Sequence, residues 1–405
     1  MLRISRTLAV AIPLALLLAV CGGSAYATTR YYVVANNNAP TNSVSIYEVS
    51  GTSLVPVTTV PTGGSGTGGG YFAEVTQSIA HDGSNQCVFA GDAASADIAA
   101  MKVSATSPYL TVVSNYVSPD GDAAANDGLG ITVSGGYLYA NYTGNNAVGG
   151  TVGPAIGVWK IGAGCKLTFV NHLATSGLSG GSIDGMAVTP NGSYLVVGYG
   201  DGSVGSYAIG GGAISLIGQE IISGNTVGAG AYAGSVAISS NGLWAIFGDF
   251  SPSNTTQLDV ASIGSSGALA ATTSYGGTGS LGGGVDSNGI QLSPDNNFIY
   301  VVDSYSGQET TVAFDPTSGV VSYPHACLTN LNGFNTNWSY ASQVAAVVNS
   351  GTGAGLYISE GFLNGDSYIA LLQVNATTGC AKELTASPFV DSNTGGLESI
   401  TAFSN

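Results

Sequence analysis

The sequence predicts an all-β fold, a seven-bladed β-propeller with four-stranded antiparallel blades. The ring is closed by N-terminal strands and the C-terminal strand in one shared blade. Three observations carry this prediction. An apolar strand followed by a Gly, Asn or Asp turn recurs at blade-like spacing. The strand after each turn is rich in β-branched and aromatic residues. The two chain ends supply complementary parts of one blade.

The elements follow in order. Residues 1–27 read as a signal peptide: Arg3 and Arg6, an apolar stretch from Leu8 to Val20, then Ala25-Tyr26-Ala27 as the cleavage pattern. A lipid anchor at Cys21 is the competing reading. Residues 28–405 then form a single propeller domain. They open with Tyr31-Tyr32-Val33-Val34-Ala35, a second strand lacking a first. The first strand and its turn recur, as in Met186-Ala187-Val188-Thr189-Pro190-Asn191-Gly192, Val236 to Gly242 and Ile290 to Asn296. With Gly83, Gly135, Gly192, Gly242, Asn296 and Gly351 as landmarks, the spacings are 52, 57, 50, 54 and 55 residues. Asp-Gly and Asn-Gly suit such turns because they tolerate positive φ. Leu397 to Phe403 is a first strand with no second after it, so it completes the opening blade. A pair of β-sandwiches or a capped solenoid fits these complementary ends less well. No amphipathic helical run of useful length appears.

Composition limits the function. The chain has 405 residues, of which only 7% are charged, against roughly 25% in an average soluble protein. Removing residues 1–27 leaves 5 cations against 23 acids, a formal charge of −18. A chain so poor in cations cannot build a groove that tracks phosphates, which excludes nucleic acid. No later stretch is long and apolar enough to span a membrane. The expected address is secreted, periplasmic or cell-surface.

Tyr32-Val33-Val34-Ala35-Asn36-Asn37, Ala187 to Leu195, and Ile290 to Asp295 leading to Tyr300-Val301-Val302-Asp303 resemble the seven-bladed lactonase-like propeller family. That family includes propeller-type 6-phosphogluconolactonases and muconate-cyclising enzymes. The resemblance covers residues 28–405 and its motifs are structural. It implies Arg, His and carboxylate groups over the channel. This sequence departs there: after residue 27 it has one arginine, Arg30, and three histidines. Five scattered cations do not look like a site for a phosphorylated sugar lactone.

In such blades, first strands start and second strands end on one face. Two sets of acids map there. Glu74, Asp127, Asp184, Asp286 and Glu398 precede first strands. Asp92, Asp201, Asp249, Asp303 and Glu360 lie at or just past second-strand ends, with Asn36 and Asn141 in equivalent places. Carboxylates grouped at a channel mouth suit Ca²⁺, which takes oxygen ligands. They also raise one another's pKa and supply general acids or bases. Asx-turn capping is the competing reading for each one. Glu74, Asp184, Asp286 and Glu360 are the catalytic candidates; Asp92, Asp127, Asp249, Asp303 and Glu398 are the ligand or cation candidates.

His81 beside Asp82 reads as a packed histidine next to a turn-capping acid, at the opposite end of its strand. His172 and His325 fall on outer fourth strands. No nucleophile elbow or Ser-x-x-Lys is present. The stretches Gly63–Gly70 and Gly276–Gly284 read as flexible inter-blade loops. No helix follows them, so they are not phosphate cradles. Cys87, Cys165, Cys327 and Cys380 suggest two disulfides, with three possible pairings. No Cys/His cluster points to zinc. Blade assignment favours Cys87–Cys165 and Cys327–Cys380, although Cys327 falls towards the far end of its strand. The leading functional expectation is an extracytoplasmic binding or scaffold propeller. Its small-molecule or protein ligand would sit at an acidic channel mouth. The alternative is a lactone hydrolase.

Overall fold

The computed structural model describes residues 30–68, 77–104, 109–117, 129–142, 154–222, 232–250, 257–276, 287–303, 307–322, 327–332, 339–349, 353–362, 367–391 and 399–404. They form seven antiparallel sheets. Residues 1–29, including the expected signal peptide, lie outside the described residues.

Blade 1 is composite. From the inside outwards it contains Ser399–Ser404, Tyr31–Asn36, Ser43–Ser50 and Ser53–Pro61. Tyr31 pairs with Ser404 and Asn36 with Ser399, so the two chain ends zip into one sheet. The inner strands of blades 2 to 7 are Ile79–Asp82, Ile131–Ser134, Ile183–Val188, Tyr232–Ile238, Ser287–Leu292 and Ser339–Asn349. Each inner strand packs against the next, and that of blade 7 packs against Ser399–Ser404, which closes the ring. No strand ladder is left open at the closure.

The core explains the composition of the strands. Seven apolar clusters lie among the described residues, one in each seam between neighbouring blades. A middle strand therefore buries both faces. Val33 and Ala35 pack towards blade 7, whereas Tyr32 and Val34 pack towards blade 2. Strands buried on both faces read as continuous apolar runs rather than alternating ones.

The repeated turns have a common build. In Thr189–Tyr194 the Gly192 amide donates to Thr189 O (2.8 Å), and Asn191 Oδ1 accepts from Thr189 Oγ1 (2.8 Å). Ser239–Trp244 and Ser293–Phe298 repeat it. The last turn residue has positive φ: +68° at Gly192, +71° at Gly242 and +58° at Asn296. That conformation explains the choice of Gly or Asn.

Both expected disulfides are present. Cys87–Cys165 joins blades 2 and 3, with Cα atoms 5.6 Å apart. Cys327–Cys380 joins blades 6 and 7, with Cα atoms 5.1 Å apart. The sequence set Cys327 too far along its strand. The outer strand of blade 6 is split into Val320–Ser322 and Leu328–Asn330, and Cys327 directly precedes the second piece. Cys380 directly precedes Ala381–Glu383, the first outer piece of blade 7. The break brings the two cysteines level.

Candidate functional site

Inter-blade bonds fix which strand ends share a face. The Ser78 amide, at the start of blade 2, donates to Ser399 Oγ at the start of the inner strand of blade 1 (3.1 Å). Asn141, ending the second strand of blade 3, donates to Ile183 O, which opens blade 4 (2.8 Å). Turns meet turns on the other side, as where the Ser240 amide donates to Asn296 Oδ1 (2.8 Å). Inner strands thus begin and second strands end on one face, called here the upper face.

Two successive positions at the second-strand ends have separate roles. The first holds Asn36, Gly91, Asn141, Gly198 and Gly248, and it faces the following blade. Asn36 Nδ2 donates to Ser78 Oγ and Gly91 O (both 2.9 Å). Where the residue is glycine, the next blade passes close. A Cβ on Gly91 would lie 2.3 Å from Leu129 O, and one on Gly198 2.3 Å from Ala233 O. The second position holds Asn37, Asp92, Tyr142, Tyr199, Asp249, Asp303 and Glu360. Where its side chains are described, it faces the preceding blade: Tyr142 packs with blade 2 and Tyr199 with blade 3. Asn36 and Asn141 are therefore not equivalent to Asp92 and Asp249. They lie one residue earlier, and a one-residue offset in a strand reverses the face.

The inner strands of blades 4 to 7 share a further device. Ile183 pairs with Tyr199 and Gly185 with Gly198, so Asp184 sits in a β-bulge. Gly234, Asn288 and Ser342 occupy the same bulge in the next three blades. Bulges re-aim side chains at barrel rims. Asp184 is nearly inaccessible at 2% exposure and accepts from Ser182 Oγ (3.1 Å). It borders a narrow crevice, with no room for a water molecule, together with Gln77, Ile131, Asn141 and Met186.

Of the other candidates, Asp92 and Asp249 have no exposed surface and lie inside seams. Asp303 and Glu360 occupy their strand ends at the upper face, opposite Ser287 and Ala341. Glu74, Asp127, Asp286 and Glu398 lie outside the described residues. Asp201 falls past its strand, where it caps the turn by accepting from the amides of Ser179 (2.6 Å) and Ser203 (3.1 Å). Among the described residues, no three of the groups Asp, Glu, His and Cys gather as a metal site would need.

The structure adds acids that the sequence reading missed. Asp259 and Glu309, on third strands, have no exposed surface. Asp259 accepts from Ser274 Oγ and shares a hydrogen bond with Asp249. Burial pushes its carboxyl above the usual range. Glu309 accepts from Thr311 Oγ1 (2.8 Å), and its Oε2 has no donor. Burial raises it to about 8. Asp92 is raised to about 7 by burial and by Asp97 opposite it, despite hydrogen bonds from Asn42 and Thr62. A lone acid between buried strand neighbours is the only signal that marked Asp259 and Glu309.

The described cations and histidines lie elsewhere. Arg30 precedes the second strand of blade 1 and pairs with Glu48 at 3.3 Å. Lys102 and Lys160 end third strands, Lys166 precedes an outer strand and Lys382 begins one. All five positions belong to the lower face. So does His81, which stacks on Phe403 with centroids 4.6 Å apart. Burial lowers its pKa, and neighbouring Asp82 only partly opposes this. Burial works to raise Asp82, but bonds from Asn85 and Ser84 hold it below the usual range. It is a turn-capping acid, as expected. His172 lies on the outer strand of blade 3, and His325 lies outside the described residues.

No known family profile and no curated protein matches the sequence. Solved structures do match the fold. A provisionally assigned 6-phosphogluconolactonase of Bacteroides uniformis superposes with a TM-score of 0.67 at 12% identity. The match covers 93% of this chain and 99% of that one. A second such protein, from Bacteroides fragilis, gives 0.66 at 13% identity over 94% and 99%. The periplasmic gluconolactonase of Pseudomonas aeruginosa gives 0.56 at 18% over 72% and 80%. The chain shares the fold of the lactonase-like propellers. At these identities the likeness is one of architecture, and activity does not travel with it.

Proposed function

We propose that residues 28–405 act outside the cytoplasm as a ligand-binding propeller whose site is the acidic upper face. One observation carries this reading: the upper face holds acids and none of the five cations, whereas the lower face holds both, its acids including Glu48, Asp82, Asp295 and Asp315. All five cations after residue 27 belong to the lower face. The bulged Asp184 and the strand ends at Asp303 and Glu360 belong to the upper one. The sequence pattern assigns Glu74, Asp127, Asp286 and Glu398 to that same face. A field of one sign favours cationic or neutral, hydroxyl-rich ligands and repels phosphorylated ones. Ca²⁺ is the simplest such ligand. Two disulfides suit an oxidising compartment and support export.

The second reading is a lactone hydrolase, favoured by the fold likeness to gluconolactonases. In it, Asp184 acts as general base together with Glu74, Asp286 or Glu360, once the face opens enough to admit water. Titration calorimetry of residues 28–405 with Ca²⁺, and base uptake with neutral sugar and aliphatic lactones, separate the two. Ca²⁺ binding that weakens in Asp303→Asn, without turnover, supports the binding protein. Turnover lost in Asp184→Ala supports the hydrolase. Neither binding nor turnover sinks both readings.

A further inference from the structure

Residues Thr62–Gly68 lie across the upper side of blades 1 and 2, and the structure gives them more order than a flexible loop. The Thr62 amide donates to Asn42 O (3.0 Å), and the Asn42 amide donates to Gly64 O (3.0 Å). The Gly66 and Gly68 amides donate to Ala39 O (2.7 Å) and Asn38 O (2.8 Å). On the blade 2 side, the Ser65 amide donates to Ser95 Oγ (2.8 Å), while Ser65 O accepts from the Ala94 amide (2.9 Å). These bonds make the segment a strap over the edge of the seam.

Beneath the strap lie two acids. Asp92, on the second strand of blade 2, stands in register opposite Asp97 on the third. Asp92 Oδ1 accepts from Asn42 Nδ2 (2.6 Å) and Thr62 Oγ1 (2.8 Å), but Oδ2 receives no donor. Asp97 accepts from Ser95 Oγ and from Asn115 Nδ2 (2.7 Å). Gly64 rests directly on the pair. A Cβ there would lie 2.4 Å from Asp92 Oδ2 and 2.6 Å from Asp97 Oδ1. The two oxygens both lie within contact of that one point, so glycine is required. Every other group facing Asp92 is neutral: Asn36 and Asn42 of blade 1, and Thr62 and Gly64 of the strap. No cation faces the pair among the described residues.

We propose that the strap is a pH-operated cover. It stays closed while Asp92 holds a proton beside Asp97, and it lifts as that proton is lost. Two ionised carboxylates cannot share a dry site without a counter-ion, and lifting the strap admits water to both. The strap is held by hydrogen bonds, which water can replace, rather than by apolar packing, and it contains four glycines among seven residues. Lifting it adds two carboxylates to the upper face. Acid therefore closes the cover, and a rise towards neutrality opens it.

Hydrogen exchange of the peptide spanning residues 62–68 tests this, in residues 28–405, from pH 4 to 8.5. Asp92 is protonated under the closed strap up to about pH 7 and ionises near its ordinary pKa once the strap lifts. After correction for intrinsic exchange, strap protection should fall about tenfold per pH unit between about 4 and 7, then level off. Asp92→Asn should remove this slope. Asp97→Asn should raise protection at pH 7 by removing the like charge, the slope with pH remaining because burial still acts on Asp92. Gly64→Ala should leave the strap poorly protected at every pH. A flat wild-type profile overturns the proposal whether or not the variants fold. So does a slope that survives in Asp92→Asn.

Discussion

Glu309 provides a direct measure of how this fold treats its acids. The side chain is buried in the seam between blades 6 and 7, with Thr311 as its donor and one oxygen unserved. Burial moves its carboxyl from 4.5 to about 8. The folded state therefore binds the proton more tightly than the unfolded state. The linked stability is fully present below pH 4.5 and is lost as the pH rises towards 8. Moving a pKa that far corresponds to on the order of 5 kcal/mol in full, of which about 3 kcal/mol is gone at pH 7. Glu309→Gln keeps the shape and the bond from Thr311 but removes the titration. Urea unfolding of wild type and variant should give similar stabilities at pH 4. At pH 7 and 8.5 the variant should be the more stable, by about 3 kcal/mol at pH 7 and more at 8.5. Taking the difference cancels Asp82, Asp295 and Asp315, whose lowered pKa values push the wild-type profile the other way. A difference that does not change with pH would refute the reasoning.

Three further outcomes follow from the packing. Removing the Cys87–Cys165 disulfide by a double Ser substitution opens a 78-residue separation and should cost roughly 4 kcal/mol in denaturant. Gly319→Ala combines positive φ with a Cβ 2.5 Å from the Trp244 ring. It should cost about 2 kcal/mol and shift Trp244 fluorescence, because that indole N–H donates to Pro316 O (2.9 Å). Asn141→Ala strands the buried Gly130 amide and Ile183 carbonyl. It should cost about 2–4 kcal/mol by thermal or urea unfolding, with the blades still formed by circular dichroism.

The ring was legible because its signals are local. Tyr194-Leu195-Val196-Val197 is apolar throughout because blades cover both of its faces. Asn191-Gly192 and Asp295-Asn296 mark turns through one positive-φ residue. The ends could be matched because Leu397 to Phe403 and Tyr31 to Ala35 each lack what the other supplies. The site was less legible. Asn36 and Asp92 look alike at strand ends, yet one residue of offset sends them to opposite sides of the same seam. The bulge at Asp184 adds a residue that no periodicity announces. Asp259 and Glu309 escaped notice, because what buries them is the neighbouring blade, far away in sequence.

These buried acids change what the composition means. The position that faces the preceding blade holds Asn37, Tyr142 and Tyr199 in three blades and the buried Asp92 and Asp249 in two others. Asn and Tyr are neutral and can donate a hydrogen bond. A carboxylate can do neither, whereas a protonated carboxylic acid can do both. The contact between Asp249 and Asp259 requires a proton for the same reason. Below about pH 7 Asp92 therefore acts as a neutral hydrogen-bonding residue like Asn37 at the equivalent site, and Asp259, on a third strand, does the same inside its own seam. The formal charge of the chain then overstates the field that a ligand meets near neutral pH. Attraction at the upper face falls to acids held in water, and each buried acid that ionises as the pH rises adds to it while loosening its own seam.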